Sequence, residues 1–191
     1  MLFRSDRIKG PLGQFSGDLP NDAVMWFAKA DGSYSTVEKG LTDKNLKDRD
    51  YFPVLMAGKD VNDALVVSKT TGISTVVVAT PVMKDGKVVG ALGVSISLEK
   101  LAKLVDDTLD LPSDIVFYAL NQKGQTALHK DTAKLILFPT NLGEDTLKKA
   151  VEEMLSKPEG VESYDFKGAH KTAIFKKSKV TGWVFVLGAE H

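Results

Sequence analysis

The residue in this chain best suited to holding an anion is Arg49. Of the 25 basic residues only three are arginines (Arg4, Arg7 and Arg49), and 22 are lysines. A chain that uses lysine almost everywhere and one arginine in its interior stretch has a use there for a planar, bidentate fork. Arg49 stands at the expected start of a short helix and is followed by Tyr51 and Phe52. That arrangement offers a two-pronged clamp for a carboxylate beside an aromatic wall. The structural alternative is an ion pair with Asp43, Asp48 or Asp50, and residue types alone leave the two readings open. Trp26 and Tyr34 fall on adjacent strands of an expected hairpin, where they either enclose a small ligand or form ordinary core. Lys69 is a second candidate cation or an exposed turn lysine, and Ser68 and Thr80 are hydroxyl donors or plain strand residues.

Other chemistries find little footing. The absence of cysteine removes disulfides, thiolate nucleophiles and Cys-based zinc or iron–sulfur sites. The histidines, His129, His170 and His191, do not have metal-ligand spacing, so no metal site is expected. With no nucleophile–base pair, no phosphate-binding glycine loop and no metal cluster legible, neither an enzyme nor a cofactor is expected. Glu152-Glu153 and Asp106-Asp107 read as solvated helix faces, and Trp183 reads as core. The 25 basic residues are balanced by 25 acidic ones. Without a basic run, nucleic acid and anionic lipid are not expected partners.

The elements that must position these residues are those of a globular chain. Its 191 residues are 43% hydrophobic and 26% charged, enough for one large domain or two small ones. The longest apolar stretch, Val76 to Val82, is broken by Thr80 and Pro81 and reads as a buried strand, far short of the roughly 18 residues of a span. The start, MLFRSDRIKG, is too polar for a signal peptide. Residues 1–20 contain Gly10, Pro11, Gly13, Gly17 and Pro20 and read as a lead-in segment. VMWFAKA and SYSTV flank Asp31-Gly32 as a hairpin. A polar stretch over 40–50 leads to a short helix starting near Asp48 and ended by Gly58. Strands follow over 64–68, 74–83 and 87–97, the last two joined at Lys84-Asp85-Gly86-Lys87. The strand over 87–97 has a bulky face (Val88, Leu92, Val94, Ile96) and a small or polar one (Val89, Ala91, Gly93, Ser95, Ser97). Such a sheet packs one face on a helix and leaves the other open to a pocket. Residues 98–109 carry the apolar period of an amphipathic helix.

After Leu111-Pro112-Ser113 the same order returns. IVFYAL and QTALH form a hairpin, a helix spans 145–156, and strands VESYDF, AHKTAIF and WVFVLG follow. The expected fold is therefore α+β, with two consecutive modules, each an antiparallel sheet of about five strands with flanking helices. The modules are expected over 21–110 and 111–191.

This order resembles that of tandem PAS-like modules, and the residues sharpen the comparison. WFAKADGSYST, LKDRDYFPVLMAG, VVSKTTG and VVVATPVMKDGKVVGALGVSISLEKL resemble the membrane-distal half of a double Cache (dCache) sensor. FYALNQKGQTALHKD and EGVESYDFKGAHKTAIFKKSKVTGWVFVLG are similar to the membrane-proximal half. The resemblance covers about residues 20–188. It implies an extracytoplasmic (periplasmic or extracellular) sensor region of a membrane-anchored chemoreceptor or sensor histidine kinase, bacterial or archaeal. A stalk helix would precede it, of which 1–20 would be a remnant, and dimerisation would run through that stalk. A second transmembrane helix would follow, so the chain is expected to be an excised sensor piece. In the distal module the family's ligands sit between the sheet and the connection that carries the Arg49-Asp50-Tyr51-Phe52 box. Amino-acid-binding members pair that arginine with an aspartate late in the last strand, and the matching position is Ser95. An aromatic a few residues before the arginine is replaced by Lys44. A serine cannot neutralise a buried ammonium group, so the resemblance implies a carboxylate without an amine: acetate, propionate, lactate or pyruvate. The expected ligand set is Arg49, Tyr51, Trp26, Tyr34, Ser68, Lys69 and Ser95. His129 matches a position where proximal modules often carry a histidine, although a lone histidine is more often a structural hydrogen-bonder. The alternative is an intracellular PAS- or profilin-like interaction module that binds no ligand.

Overall fold

The computed structural model describes residues 23–191, so the lead-in segment lies outside the described residues. The chain divides into two compact units after Ser97.

The first unit runs β1 (Ala23–Lys29), β2 (Ser33–Thr36), β3 (Gly40–Asn45), α1 (Phe52–Met56), β4 (Val61–Val67), β5 (Ser74–Lys84) and β6 (Lys87–Ser97). All pairings are antiparallel, in the order β3-β2-β1-β6-β5-β4. The β5–β6 hairpin closes through Asp85 and Gly86, both at positive φ (51° and 73°), the backbone that a two-residue turn matched to strand twist requires. Strand β3 replaces what was expected to be an irregular polar stretch. Its residues GLTDKN are mostly exposed and it lies at the sheet edge, where charged side chains are compatible with strand pairing. Helix α1 starts at Phe52 rather than near Asp48. The backbone of 46–52 is taken up by turns, Arg49 N–H to Leu46 O and Phe52 N–H to Arg49 O, both 2.9 Å. Pro53 then sits in the first turn, where its missing N–H costs nothing.

The register places Val24, Trp26 and Ala28 beside Ser95, Gly93 and Ala91 on one face of the sheet. Phe52 and Leu55 of α1 are buried in the same cluster as Trp26, Tyr34, Val77 and Ala91, each such burial worth roughly 1.5–3 kcal/mol. The helix therefore packs on the small face, not the bulky one, and shares it with the cavity described below. Leu92, Val94 and Ile96 on the opposite face are half-buried. The tightest constraint here is Gly93. A Cβ built on it would lie 2.2 Å from Trp26 Cζ2, so the indole occupies the space that any other residue would fill.

The second unit runs α2 (Leu98–Leu109), β7 (Ile115–Leu120), β8 (Thr126–His129), α3 (Asp145–Ser156), β9 (Glu159–Phe166), β10 (Ala169–Lys177) and β11 (Val184–Glu190). Its antiparallel order is β8-β7-β11-β10-β9. Both long helices have the bounds read from their apolar period. The expected boundary near 110 moves, because α2 packs against β8 of this unit and its Asp106 meets Lys130 at 3.7 Å. Helix α3 presents Leu147, Ala150, Val151 and Met154 to a core with Tyr118, Leu120, Phe175 and Val186. The sheets have six and five strands, close to the expected five each.

Gly93→Ala is expected to force Trp26 out of its place. Urea denaturation should show a loss of about 1–3 kcal/mol, the usual range for overpacking a tight core. An unchanged midpoint would mean that the indole moves aside freely.

Candidate functional site

The first unit holds a cavity of about 30 Å³ on the small face of its sheet. All seven expected ligand residues line it: Trp26, Tyr34, Arg49, Tyr51, Ser68, Lys69 and Ser95. They come from β1, β2, the turn before α1, the turn after β4, and β6, so antiparallel pairing brings together positions up to 69 residues apart. Arg49 and Lys69 are the charged residues of the lining, and no aspartate or glutamate is among it.

Arg49 is half-buried and one of its terminal nitrogens donates to Val67 O at 2.6 Å. That bond anchors the guanidinium to the end of β4. None of the aspartates considered for it pairs with it: Asp43 is bound to Lys44 at 3.2 Å, and Asp48 is bound to Lys69. Its Nε is buried without an acceptor. An unpaired buried donor on a charged group is costly, and the orphan N–H is one half of the fork that a carboxylate accepts from.

The remaining walls are fixed by hydrogen bonds within the unit. Trp26 Nε1 donates to Ser95 Oγ at 3.1 Å. Tyr34 Oη and Thr70 Oγ1 lie 2.5 Å apart. The Trp26 and Tyr51 rings are tilted at 34° with centroids 6.4 Å apart. Burial pushes the Tyr51 hydroxyl up to about 12, so it stays protonated and able to donate. Ser68 Oγ accepts from the N–H groups of Thr70 and Thr71, both at 3.3 Å, and so shapes its own turn as well as the cavity wall. Lys69 is not a free turn lysine. Its Nζ donates to Asn45 O at 2.8 Å and is ion-paired with Asp48, whose carboxyl it holds below the usual carboxylate range. The pair ties the turn after β4 to the segment that carries Arg49.

Thr80 lies elsewhere, its hydroxyl donating to Asp60 at 2.7 Å on the exposed side. The lining also includes Thr36, Thr70 and Thr75, none of them singled out by sequence. Thr75 and Val77 were legible in principle from the β5–β6 hairpin. However, a bulge between Val82 and Met83 changes the register, pairing Val77 with Ser95 where an unbroken ladder from the turn would pair it with Val94.

In the second unit His129 plays a structural part. Its Nδ1 accepts the Asp131 N–H at 2.9 Å and its ring stacks on Tyr118 at 24° and 6.2 Å. His170 pairs with Asp165 at 2.8 Å on the surface. Trp183 is buried, as expected of core. Asp106, Asp107 and Glu153 pair with surface lysines. Among the described residues no helix is long and apolar enough to cross a membrane.

Paired antiparallel-sheet units, the first with a cationic cavity between its sheet and a short helical connection, describe a class of small-ligand sensor modules. The chain belongs to the Cache domain family, whose double-Cache (dCache) sequence model matches residues 11–191. Cache domains are extracytoplasmic ligand-binding sensor domains of chemoreceptors and histidine kinases, which removes the intracellular alternative. No curated protein matches the sequence. Among solved structures, the ligand-binding domain of the Pseudomonas aeruginosa PAO1 amino acid chemoreceptor PctB with L-Arg is 15% identical, with a TM-score of 0.79. The match covers 99% of this chain and 74% of that one. The Campylobacter jejuni chemoreceptor Tlp3 domain with 4-methylisoleucine is 15% identical at TM-score 0.67, covering 97% and 71%. An extracellular domain assigned to a histidine kinase, rpHK1S-Z16, is 21% identical at TM-score 0.68, covering 99% and 79%. At these identities the likeness is one of fold.

The environment of His129 has a consequence for stability. Burial, then the nearby Lys134, lower it from 6.5 to about 4, with Asp131 opposing. Between those values the unfolded chain binds a proton on this ring that the folded chain does not, so stability falls as pH drops from 6.5 towards 4. After allowance for its partial exposure, the loss due to this ring is roughly 1–2 kcal/mol. His129→Asn keeps an acceptor for the Asp131 N–H, and it should flatten that part of the stability-versus-pH curve relative to wild type. Parallel curves for the two proteins would refute the assignment.

Proposed function

We propose that the chain is the ligand-binding part of a membrane-anchored receptor and that the first unit captures a short carboxylate without an amine. The observation that carries this reading is the composition of the cavity wall: two cations and no carboxylate, with Ser95 bonded to Trp26 at the position where amino-acid-binding relatives would place an aspartate. An α-ammonium group there would be buried without a counter-charge, a cost that a carboxylate ligand avoids. Arg49 Nε supplies the unpaired donor and Tyr51 a neutral hydroxyl.

A cavity of about 30 Å³ holds about two waters, too little for lactate and alanine alike, so charge and not size separates the two ligand classes. The cavity is the closed form of a site that must loosen at the Lys69–Asp48 pair or the Tyr34–Thr70 bond to admit even acetate. That loosening would connect occupancy to movement of the turn after β4. In this reading the first unit, ending at Ser97, is membrane-distal and the second, from Leu98, is membrane-proximal, and the receptor dimerises through a stalk. The competing reading is an amino acid ligand, because PctB and Tlp3 are described with L-Arg and 4-methylisoleucine.

A thermal-shift and calorimetric panel separates the two. Acetate, propionate, lactate or pyruvate near a hundredfold excess over Kd should raise Tm by about 5 °C, while glycine and alanine leave it unchanged. Arg49→Ala should weaken the responding acid by roughly 10- to 100-fold. Ser95→Asp should weaken it too, since it sets a second anion beside the bound one. A response to amino acids and none to the acids overturns the proposal.

A further inference from the structure

The second unit contains a much larger cavity, about 650 Å³, inside the roughly 300–1,000 Å³ range of small-molecule sites. Its origin is visible in the register. On the sheet face towards α3, Ala173 pairs with Gly188, and Gly188 with Val116. Gly188 and Val116 line the space with the larger Tyr118, Tyr164 and Lys171, while Ala173 is buried in the core beside Gly188. A Cβ added at Gly188 would lie in ordinary contact, 3.9 Å from Tyr164 Oη and Val116 O, so the position has room for a side chain. Leu137 and Leu142 of the connection, Leu147 and Val151 of α3, and Phe166 at the end of β9 complete the lining. Most of the enclosure is apolar.

One corner is not. His129 Nδ1 accepts the Asp131 N–H, so the neutral ring carries its proton on Nε2. That N–H faces the ammonium of Lys134 at 3.3 Å. Two donors therefore meet without an acceptor between them. Placing the proton on Nδ1 instead only moves the conflict to the Asp131 N–H. The acids in the lining do not resolve it: Asp131 Oδ1 caps the Ala133 N–H and its other oxygen is 3.9 Å from Lys134, while Glu190 is bound to Lys171 at 3.1 Å. Asp114, the third acid, shares the lining with Lys167. Beneath, the Tyr118 and Tyr164 hydroxyls lie 3.4 Å apart, and Tyr118 otherwise reaches only Met154 Sδ at 3.9 Å. This floor has hydroxyl groups to spare.

We infer that the second unit carries its own ligand site, independent of the first, for a monocarboxylate with an apolar body, branched aliphatic or aromatic. Its oxygens would accept from His129 Nε2–H and Lys134 Nζ, and its body would lie against Gly188 and Val116. Acetate would fill little of this space, and Lys134, which lines this cavity and not the first, tells binding at the two sites apart.

The test titrates the whole chain calorimetrically with phenylacetate and 4-methylpentanoate, with phenylacetamide as the uncharged control. Wild type should bind the acids and take the amide about tenfold less tightly. Lys134→Gln, at a side chain that is 36% exposed and free to change without unfolding the unit, should weaken the acids by about tenfold. Gly188→Leu should intrude where the ligand body lies and weaken binding by about tenfold while circular dichroism stays that of the wild type. If that variant fails to fold, Lys134→Gln decides. Absence of binding by the folded wild type overturns the inference. So does an amide that binds as tightly as the acids, or acid binding that Lys134→Gln leaves unchanged.

Discussion

Trp26 lies flat across β6 because Gly93 offers it no Cβ, and the arrangement of the first unit follows from that close approach. With the indole seated there, its Nε1 reaches Ser95, its ring leans on Tyr51, and the segment before α1 is held at a height where Arg49 overlooks the small face of the sheet. A larger residue at 93 would lift the ring and the helix with it. The second unit repeats the device at another place: a Cβ on Gly160 would meet the Phe175 ring at 2.9 Å. In both units a large aromatic ring is packed against backbone where a glycine stands, which is close packing achieved by leaving a side chain out.

The two units nevertheless use their sheets differently. In the first, tryptophan, tyrosine and the short helix fill the small face until only a pocket of water size remains, with cations around it. In the second, Gly188 beside Val116 leaves the face underfilled, and α3 with the 3₁₀ turns at Thr132–Lys134 and Pro139–Asn141 spans it rather than filling it. The same architecture thus yields one small, charged space and one large, mostly apolar one.

How much of this was legible in the sequence depended on whether the signal was local. The Asp31-Gly32 and Asp85-Gly86 turns and the apolar periods of 98–109 and 145–156 are local, and each element appeared with those bounds or close to them. Strand β3 carries no such signal, because GLTDKN alternates nothing and is a strand only through pairing with β2. The allegiance of α2 was hidden for a similar reason, since its apolar stripe suits either neighbour and only contact with β8 decides. The seven candidate ligand residues came together on one cavity because strand parity and the family resemblance agreed on a face. Thr75 and Val77 escaped notice because a single bulge sets which side of β5 joins that face. The role of Lys69 also escaped notice, since its partner Asp48 is 21 residues away and adjacent only after folding.

The Lys69–Asp48 pair also sets where positive charge resides along the cavity wall. Lys69 Nζ donates to Asn45 O and Asp48, two of the three bonds an ammonium can make, and its charge is balanced by a carboxylate that stands outside the lining. The uncompensated charge at the wall is therefore that of Arg49, among the described residues the one cation there without a carboxylate paired to it.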